Sequence, residues 1–131
     1  MSSEYYPIQI DIPDLGIMNG KMLRSAAPIT VKHILQLMQK GFIAGKARWF
    51  DPEKKDAVYF DIGIKKGKEG RPSSQFYAGD IVYAFKIDSI VFVATDQPIP
   101  YIAVKIGEIT DNFELLDAVK NGMSIKIKLT K

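Results

Sequence analysis

The chain contains no cysteine and only one histidine, His33, among its 131 residues. Without cysteine it forms no disulfide, holds no cysteine-ligated metal and has no thiolate nucleophile. A single histidine also excludes any site within one chain that needs two imidazole ligands. His33 falls on the polar side of a predicted helix, so we expect it at the surface. The chemistry that remains uses hydroxyl, carboxylate, amine, guanidinium or phenol groups, or is binding without catalysis.

Long hydrophobic runs are missing as well. No segment approaches the ~18 uninterrupted apolar residues that a membrane helix needs. Residues 1–6 lack the basic and apolar regions of a signal peptide. We therefore expect a cytoplasmic protein with no membrane partner.

The excess of positive charge is small and evenly spread. Lys and Arg total 18 against 15 Asp and Glu, which gives a net charge of +3. Nucleic-acid binders usually collect basic residues on one face, so this balance makes a nucleic-acid partner unlikely. The one local basic cluster consists of Lys65, Lys66, Lys68 and Arg71. We interpret it as a solvated loop, and its alternative role is a nucleic-acid contact.

Two segments have helical periodicity. Val31, Ile34, Leu35 and Met38 form one apolar stripe between Pro28 and Gly41. Residues 113–120 form a second, shorter amphipathic segment, which ends at the Asn-Gly pair 121–122. The sequence therefore predicts two α-helices.

Most of the other segments have the composition or alternation of strands. The predicted strands are residues 8–12, 21–26, 42–50, 57–64, 81–87, 90–95, 101–109 and 124–130. An Asn19-Gly20 turn is expected to precede the second strand, and residues 65–79 form the longest loop. Residues 81–87 and 90–95 are apolar almost throughout, which is typical of strands covered on both faces. The last strand alternates apolar residues with lysine, which predicts a half-buried strand; at a sheet edge its lysines would discourage pairing. Self-association through an exposed final strand stays open.

This element count predicts one domain, mainly β, built as an antiparallel eight-stranded barrel capped by two α-helices. Too many strands lack an intervening helix for a doubly wound sheet. The oligomeric state stays open.

Sequence motifs of catalysis are scarce. Residues 63–69 have only three residues between their glycines and Glu69 where a phosphate loop needs Ser or Thr. No nucleophile elbow is present, and the acidic residues are too scattered to predict a metal site or a cofactor. Asp61 and Glu108 are not expected to form a catalytic pair.

The most informative local run is Arg48-Trp49-Phe50. Aromatic rings beside a guanidinium can form a groove for prolyl, aromatic or nucleobase groups. The alternative is that these side chains simply fill the barrel or pack under a helix.

The order of segments resembles the cyclophilin family. Residues 27–34 (Ala-Pro-Ile-Thr-Val-Lys-His-Ile) are similar to the start of the first helix in that family. Residues 102–109 (Ile-Ala-Val-Lys-Ile-Gly-Glu-Ile), followed by residues 113–120, resemble its glycine-containing strand and amphipathic helix. Residues 79–81 and 90–98 match in order and spacing. The likeness spans about residues 8–130 and is greatest to the small prokaryotic cyclophilin-like proteins of unknown function. It implies an eight-stranded antiparallel barrel closed by two helices.

The resemblance also implies a function, peptidyl-prolyl isomerisation, for which this chain departs from the family pattern. The family's catalytic Arg lies in an F-H-R motif, and counting back from Pro52 puts that position on Trp49. Arg48 is one residue away, and a shift of one residue on a strand reverses the face. The family's F-M-x-Q-G-G-D-F motif is replaced by residues 58–63, and its loop with Trp and His is shortened to residues 98–101.

These departures lead to three functional hypotheses. The leading one is a domain that binds a small apolar ligand or a proline-containing peptide in a barrel-side groove, with little or no isomerase activity. Its candidate ligand-binding residues are Arg48, Phe50, Phe60 and Phe92. The second is a divergent isomerase with Arg48 as the catalytic residue, and the third is a nucleic-acid-binding β-barrel.

Overall fold

The computed structural model describes residues 5–23, 27–67 and 70–130, and this part of the chain is mainly β. Its strands are β1 Tyr5–Ile12, β2 Gly16–Leu23, β3 Ile43–Lys46, β4 Arg48–Trp49, β5 Ala57–Asp61, β6 Ser73–Phe76, β7 Asp80–Ala84, β8 Ser89–Val93, β9 Gln97–Asp111 and β10 Ser124–Leu129. Its helices are α1 Pro28–Gln39 and a 3₁₀ helix, Phe113–Ala118. The predicted mainly β, antiparallel fold with two helices is confirmed at this level.

All described strands belong to one antiparallel sheet. Its order is β3-β10-β1-β2-β9-β7-β8-β5-β4, with β6 paired to β9 beside this path. The two outermost strands, β3 and β4, are consecutive in the chain and are separated only by Ala47. The sheet therefore curls until its ends meet, although no strand pairing joins β3 to β4 within the described ranges. It has ten strands rather than the predicted eight, and its hydrogen bonding is not closed.

Both faces of part of the sheet are covered. The inner face packs with α1 and the 3₁₀ helix into the main core, which includes Ile10, Ile34, Phe60, Tyr83, Phe92 and Leu116. The outer face of β5 to β9 carries a second apolar cluster, made of Ala57, Phe76, Val82, Ala84, Val91, Val93 and Ala103. All residues of β7 and β8 are buried, which confirms that these apolar runs are strands covered on both sides.

Two glycines allow β2 and β9 to approach closely. A Cβ atom on Gly107 would overlap the carbonyl oxygen of Lys21, and one on Gly20 would lie 2.7 Å from the carbonyl oxygen of Glu108. Both contacts are far inside van der Waals distance, so only glycine fits without moving the backbone. The predicted Asn19-Gly20 turn is therefore wrong. Gly20 lies inside β2, and the hairpin turn is at residues 13–15, where the Leu15 amide donates to the Ile12 carbonyl at 2.8 Å.

Two further predictions differ from the structure. The second helix is a six-residue 3₁₀ helix and not an α-helix, and the chain is already extended at Val119. The carbonyl of Val119, just past the helix, accepts a hydrogen bond from Trp49 Nε1 at 2.7 Å. Strand β10 lies between β1 and β3 and is not an edge strand. Alternation of apolar and lysine side chains indicated one buried face correctly but says nothing about whether the strand edges are paired.

Two sequence-based assignments fall partly outside the described ranges: the predicted second strand, at residues 24–26, and the predicted loop with its basic cluster, at Lys68 and Glu69. The described part of that loop contains β6, which had not been predicted. No helix in the described ranges is long and apolar enough to cross a membrane.

The β2–β9 crossing leads to a stability prediction. Replacing Gly107 by Ala should lower the free energy of unfolding by about 1–3 kcal/mol, the usual cost of overpacking. Gly67 has no neighbour within 4 Å of its would-be Cβ, so Gly67→Ala serves as the matched control and should change stability by less than about 0.5 kcal/mol. Urea unfolding followed by the fluorescence of the single Trp measures both. Equal stability of the two variants would contradict the close crossing.

Candidate functional site

The candidate site begins at the joint between β3 and β4. The Ala47 amide donates to the Met123 carbonyl, and the Ala47 carbonyl accepts from the Gly122 amide, each at 2.8 Å. Beyond this joint the side chains alternate as in any strand. Trp49 points into the core with 5% of its surface exposed, while Arg48 is exposed on the other face. Asn121 completes the anchoring, since its Oδ1 accepts from the Trp49 amide at 2.8 Å.

Strand β5 supplies the opposite wall of the site. Arg48 pairs with Tyr59, so Tyr59 and Asp61 share the outer face with Arg48, whereas Phe60 points inward. The Phe60 ring packs directly beneath Gly45 of β3, where a Cβ atom would lie 2.7 Å from Phe60 Cδ2. Glycine at position 45 therefore lets the ring reach the line where the two ends of the sheet meet.

A cavity of about 560 Å³ lies along this line, and we call it the seam cavity. Its lining residues are Gly45, Lys46, Arg48, Tyr59, Phe60, Asp61 and Ile87. Its volume falls in the roughly 300–1,000 Å³ range of small-molecule sites. The lining combines apolar surface, two cations and one carboxylate, so it can hold a molecule that is partly apolar and partly charged.

The charged groups of the seam cavity are incompletely paired. Lys46 Nζ donates to Ser124 Oγ at 3.0 Å, so it turns toward β10. Asp61 Oδ1 lies 2.7 Å from the buried hydroxyl of Ser89, which donates to it. Arg48 makes no hydrogen bond or ion pair with the described residues, and it does not come within 4.0 Å of the Asp61 carboxylate. The guanidinium and one carboxylate oxygen therefore remain available to a ligand.

In two other polar clusters the charged groups have partners within the cluster, unlike Arg48 in the seam cavity. Lys105 Nζ lies 3.1 Å from Asp80 Oδ1 and 3.4 Å from Glu108 Oε1. Burial acts to lower the pKa of Lys105, but these two carboxylates outweigh it and raise the pKa above its usual range.

The second such cluster ties the loop after β5 to the β7–β8 hairpin. Asp88 Oδ1 accepts the Tyr83 hydroxyl at 2.6 Å and the Lys65 amide at 2.8 Å. Burial, with the Asp88 hydrogen bond added, raises the pKa of Tyr83 above its usual range. The Tyr83 hydroxyl also accepts from the Lys66 amide at 3.0 Å. These partners act as internal structure, and they hold two residues of the basic loop by their backbones.

The structure brings together two of the four predicted ligand-binding residues. Arg48 and Phe60 line the seam cavity. Phe92 does not, because it is fully buried in the main core, where its ring stacks near Phe60 with centroids 6.1 Å apart. Phe50 lies with the outer apolar cluster and stacks on Tyr59 at 4.5 Å.

Other residues considered from the sequence lie elsewhere. His33 is on α1, half-buried and outside the lining of the seam cavity. Asp61 contacts Ser89, and Glu108 contacts Lys105, so each of these carboxylates has a different partner. Among the described residues, no group of three His, Asp or Glu side chains is arranged to hold a metal ion.

Sequence reasoning missed most of the cavity lining, including Gly45, Lys46, Tyr59, Asp61 and Ile87. Strand alternation could have found part of it, since Tyr59 and Asp61 fall on the face opposite to the apolar Val58 and Phe60. The contribution of β3 had no such signal. Residues 42–50 read as one strand, and the break at Ala47 depends on the distant residues 122 and 123.

Comparison with known proteins identifies relatives of the fold. No protein-family model matches the chain, and no curated protein matches it either. Among solved structures, the hypothetical protein AF2241 from Archaeoglobus fulgidus, determined in solution, aligns with a TM-score of 0.75 and 18% identity over 98% of both chains. McbB, determined in complex with tryptophan, aligns with a TM-score of 0.70 and 10% identity. That match covers 94% of this chain but 44% of McbB. At these identities the likeness shows a shared fold.

Because residues 48 and 49 point to opposite faces of the strand, substitutions at these two positions should differ in how much they lower stability. Trp49→Phe removes the donor to the buried Val119 carbonyl and should cost about 1–3 kcal/mol of unfolding free energy. Arg48→Met removes an exposed, unpaired cation and should change stability by less than about 0.5 kcal/mol. Urea unfolding followed by far-UV circular dichroism compares them. A larger loss for Arg48→Met than for Trp49→Phe would contradict the assigned faces.

Proposed function

We propose that this protein is a cyclophilin-like domain that binds a small molecule or short peptide, partly apolar, in the seam cavity, with little or no prolyl isomerase activity. The observation that carries this proposal is the seam cavity itself. It combines the unpaired guanidinium of Arg48 with the apolar surfaces of Tyr59 and Ile87, above the buried Phe60. Binding sites of this kind use an apolar lining for affinity and a few polar groups for orientation.

The cyclophilin-like assignment is supported by the topology. The curled antiparallel sheet, with its ends adjacent at Ala47 and α1 packed into its core, is compatible with a barrel-like cyclophilin relative. In this proposal β3 and β4 take the place of one continuous barrel strand, and the seam cavity is the opening that their break at Ala47 leaves.

The proposed lack of isomerase activity is based on the positions of Trp49 and Phe92. An isomerase of this family needs a guanidinium that donates hydrogen bonds to the prolyl amide beside an apolar proline pocket. The matching position is Trp49, whose ring is buried and whose Nε1 is bonded to Val119. Phe92, one of the predicted ligand-binding residues, is fully buried and offers no surface to a proline ring. A proline ring therefore has no exposed counterpart of the family's pocket at these two residues.

The likeness to McbB adds a suggestion about ligand size. McbB was determined in complex with tryptophan, an aromatic molecule small enough for a cavity of about 560 Å³. We propose a ligand of comparable size and partly aromatic character for this chain.

A ligand titration tests the binding proposal. A panel of small aromatic acids, amines, alcohols and amino acids, together with a proline-containing tetrapeptide, is added to the ¹⁵N-labelled protein. At least one compound should shift the amide signals of Gly45, Tyr59 and Asp61 in a saturable manner. Arg48→Gln should weaken the binding of acidic compounds about tenfold, since a charged hydrogen bond is lost. Arg71→Gln, which removes an exposed arginine outside the cavity, is the matched control and should leave binding unchanged. Saturable shifts confined to other regions, or none, would refute the proposal.

An isomerisation assay tests the second part of the proposal. With a proline-containing tetrapeptide, the protein should not accelerate cis–trans exchange above the uncatalysed rate, because the position that matches the catalytic arginine of the family is the buried Trp49. The Arg48→Ala variant provides the control. Acceleration by the wild type that disappears in Arg48→Ala would establish a divergent isomerase instead.

A further inference from the structure

We infer that the ligand of the seam cavity is a zwitterion of the amino-acid type. Arg48 binds its carboxylate, Asp61 binds its ammonium group, and its side chain lies against Tyr59 and Ile87. This inference rests on the proposed function and names the class of ligand that the cavity selects.

Two opposite charges, Arg48 and Asp61, share the seam cavity without pairing. Arg48 is opposite Tyr59 in the β4–β5 register, and Asp61 is two residues further along β5. Diagonal neighbours of this kind have Cβ atoms roughly 7–8 Å apart, within reach of an arginine side chain. The guanidinium and the carboxylate nevertheless stay more than 4.0 Å apart. The space between them is suited to a molecule that carries both complementary charges.

The carboxylate is held in place before any ligand arrives. Ser89 is completely buried, and its hydroxyl, which has one proton to donate, lies 2.7 Å from Asp61 Oδ1 and 2.9 Å from the Ile87 carbonyl. This contact fixes one oxygen of Asp61 and leaves Oδ2 without a donor among the described residues. An ammonium group of a ligand can donate to that oxygen at little entropic cost, because the carboxylate is already oriented.

The negative charge of Asp61 also argues against a simple anion. A ligand with only a carboxylate would gain contact with Arg48 but would lie beside an uncompensated Asp61. A ligand with only an amine would have the reverse problem with Arg48 and Lys46. Because Lys46 is turned toward Ser124, Arg48 and Asp61 are the two charges left for a ligand, and a zwitterion gives each of them a partner.

Calorimetric titration with four probes tests this inference. The probes are L-phenylalanine, 3-phenylpropionate, 2-phenylethylamine and 2-phenylethanol, which share one ring and differ in their charges. Phenylalanine should bind at least about tenfold more tightly than each of the others, since it alone makes both charged contacts. Asp61→Asn keeps an oxygen for Ser89 and should weaken phenylalanine about tenfold without weakening 3-phenylpropionate. Arg48→Gln should weaken both of these and spare 2-phenylethylamine.

Two control variants and a spectrum make the outcome decisive. Asp14→Asn and Arg71→Gln change exposed charges outside the cavity and should leave every affinity unchanged. Two-dimensional amide spectra establish that all variants are folded. If 3-phenylpropionate binds as tightly as phenylalanine and Asp61→Asn weakens neither, the zwitterion inference is wrong while the binding function stands. If none of the four probes binds but another compound of the aromatic panel occupies the cavity, the zwitterion inference is again wrong and the binding function again stands. If no compound occupies the cavity, both proposals fail.

Discussion

The backbone of Ala47 is the joint on which the rest of this structure depends. Its amide and carbonyl are both bonded, at 2.8 Å, to the segment that leads into β10. On one side of it the chain runs in β3, next to β10, and on the other side it runs in β4, next to β5. These two strands are the opposite ends of the sheet, so the joint brings the ends together. The curl of the sheet, the position of Phe60 under Gly45 and the seam cavity all follow from it.

A single strand, β5, serves both the core and the site because its side chains alternate. Val58 and Phe60 point inward and join the main core, while Tyr59 and Asp61 point outward. Because Val58 and Phe60 are packed in the core, the position of the strand is set, and with it the positions of Tyr59 and Asp61 on the other face. The neighbouring strand adds Ser89, whose buried hydroxyl orients the Asp61 carboxylate. The site is therefore supported by packed β structure on the side of the carboxylate, and Arg48 is its one exposed and unpaired member.

Many elements of the fold could be predicted from local pattern alone. The alternation of Ile8, Ile10 and Ile12, the apolar stripe of α1 and the apolar strands β7 and β8 are all present where the sequence places them. The errors have a common cause in contacts distant in sequence. Gly20 reads as a turn residue, but it lies within β2 where β9 approaches so closely that no larger amino acid fits. The second helix reads as α-helical through residue 120, but it ends at Ala118, and the Val119 carbonyl beyond it is bonded to Trp49, 70 residues earlier in the chain.

The sequence by itself determined that the protein is mainly β, that it has no thiol chemistry, and that Arg48 lies on the face opposite to Trp49. Each of these depends only on composition or on the two-residue repeat of a strand. The tertiary structure decided which side chains meet at the seam: it brought Arg48 and Phe60 to one cavity, sent Phe92 into the core, and added Tyr59 and Asp61. It could do so because the pairing of distant strands, and the break at Ala47, are set by hydrogen bonds between residues about 75 positions apart, which no local pattern encodes.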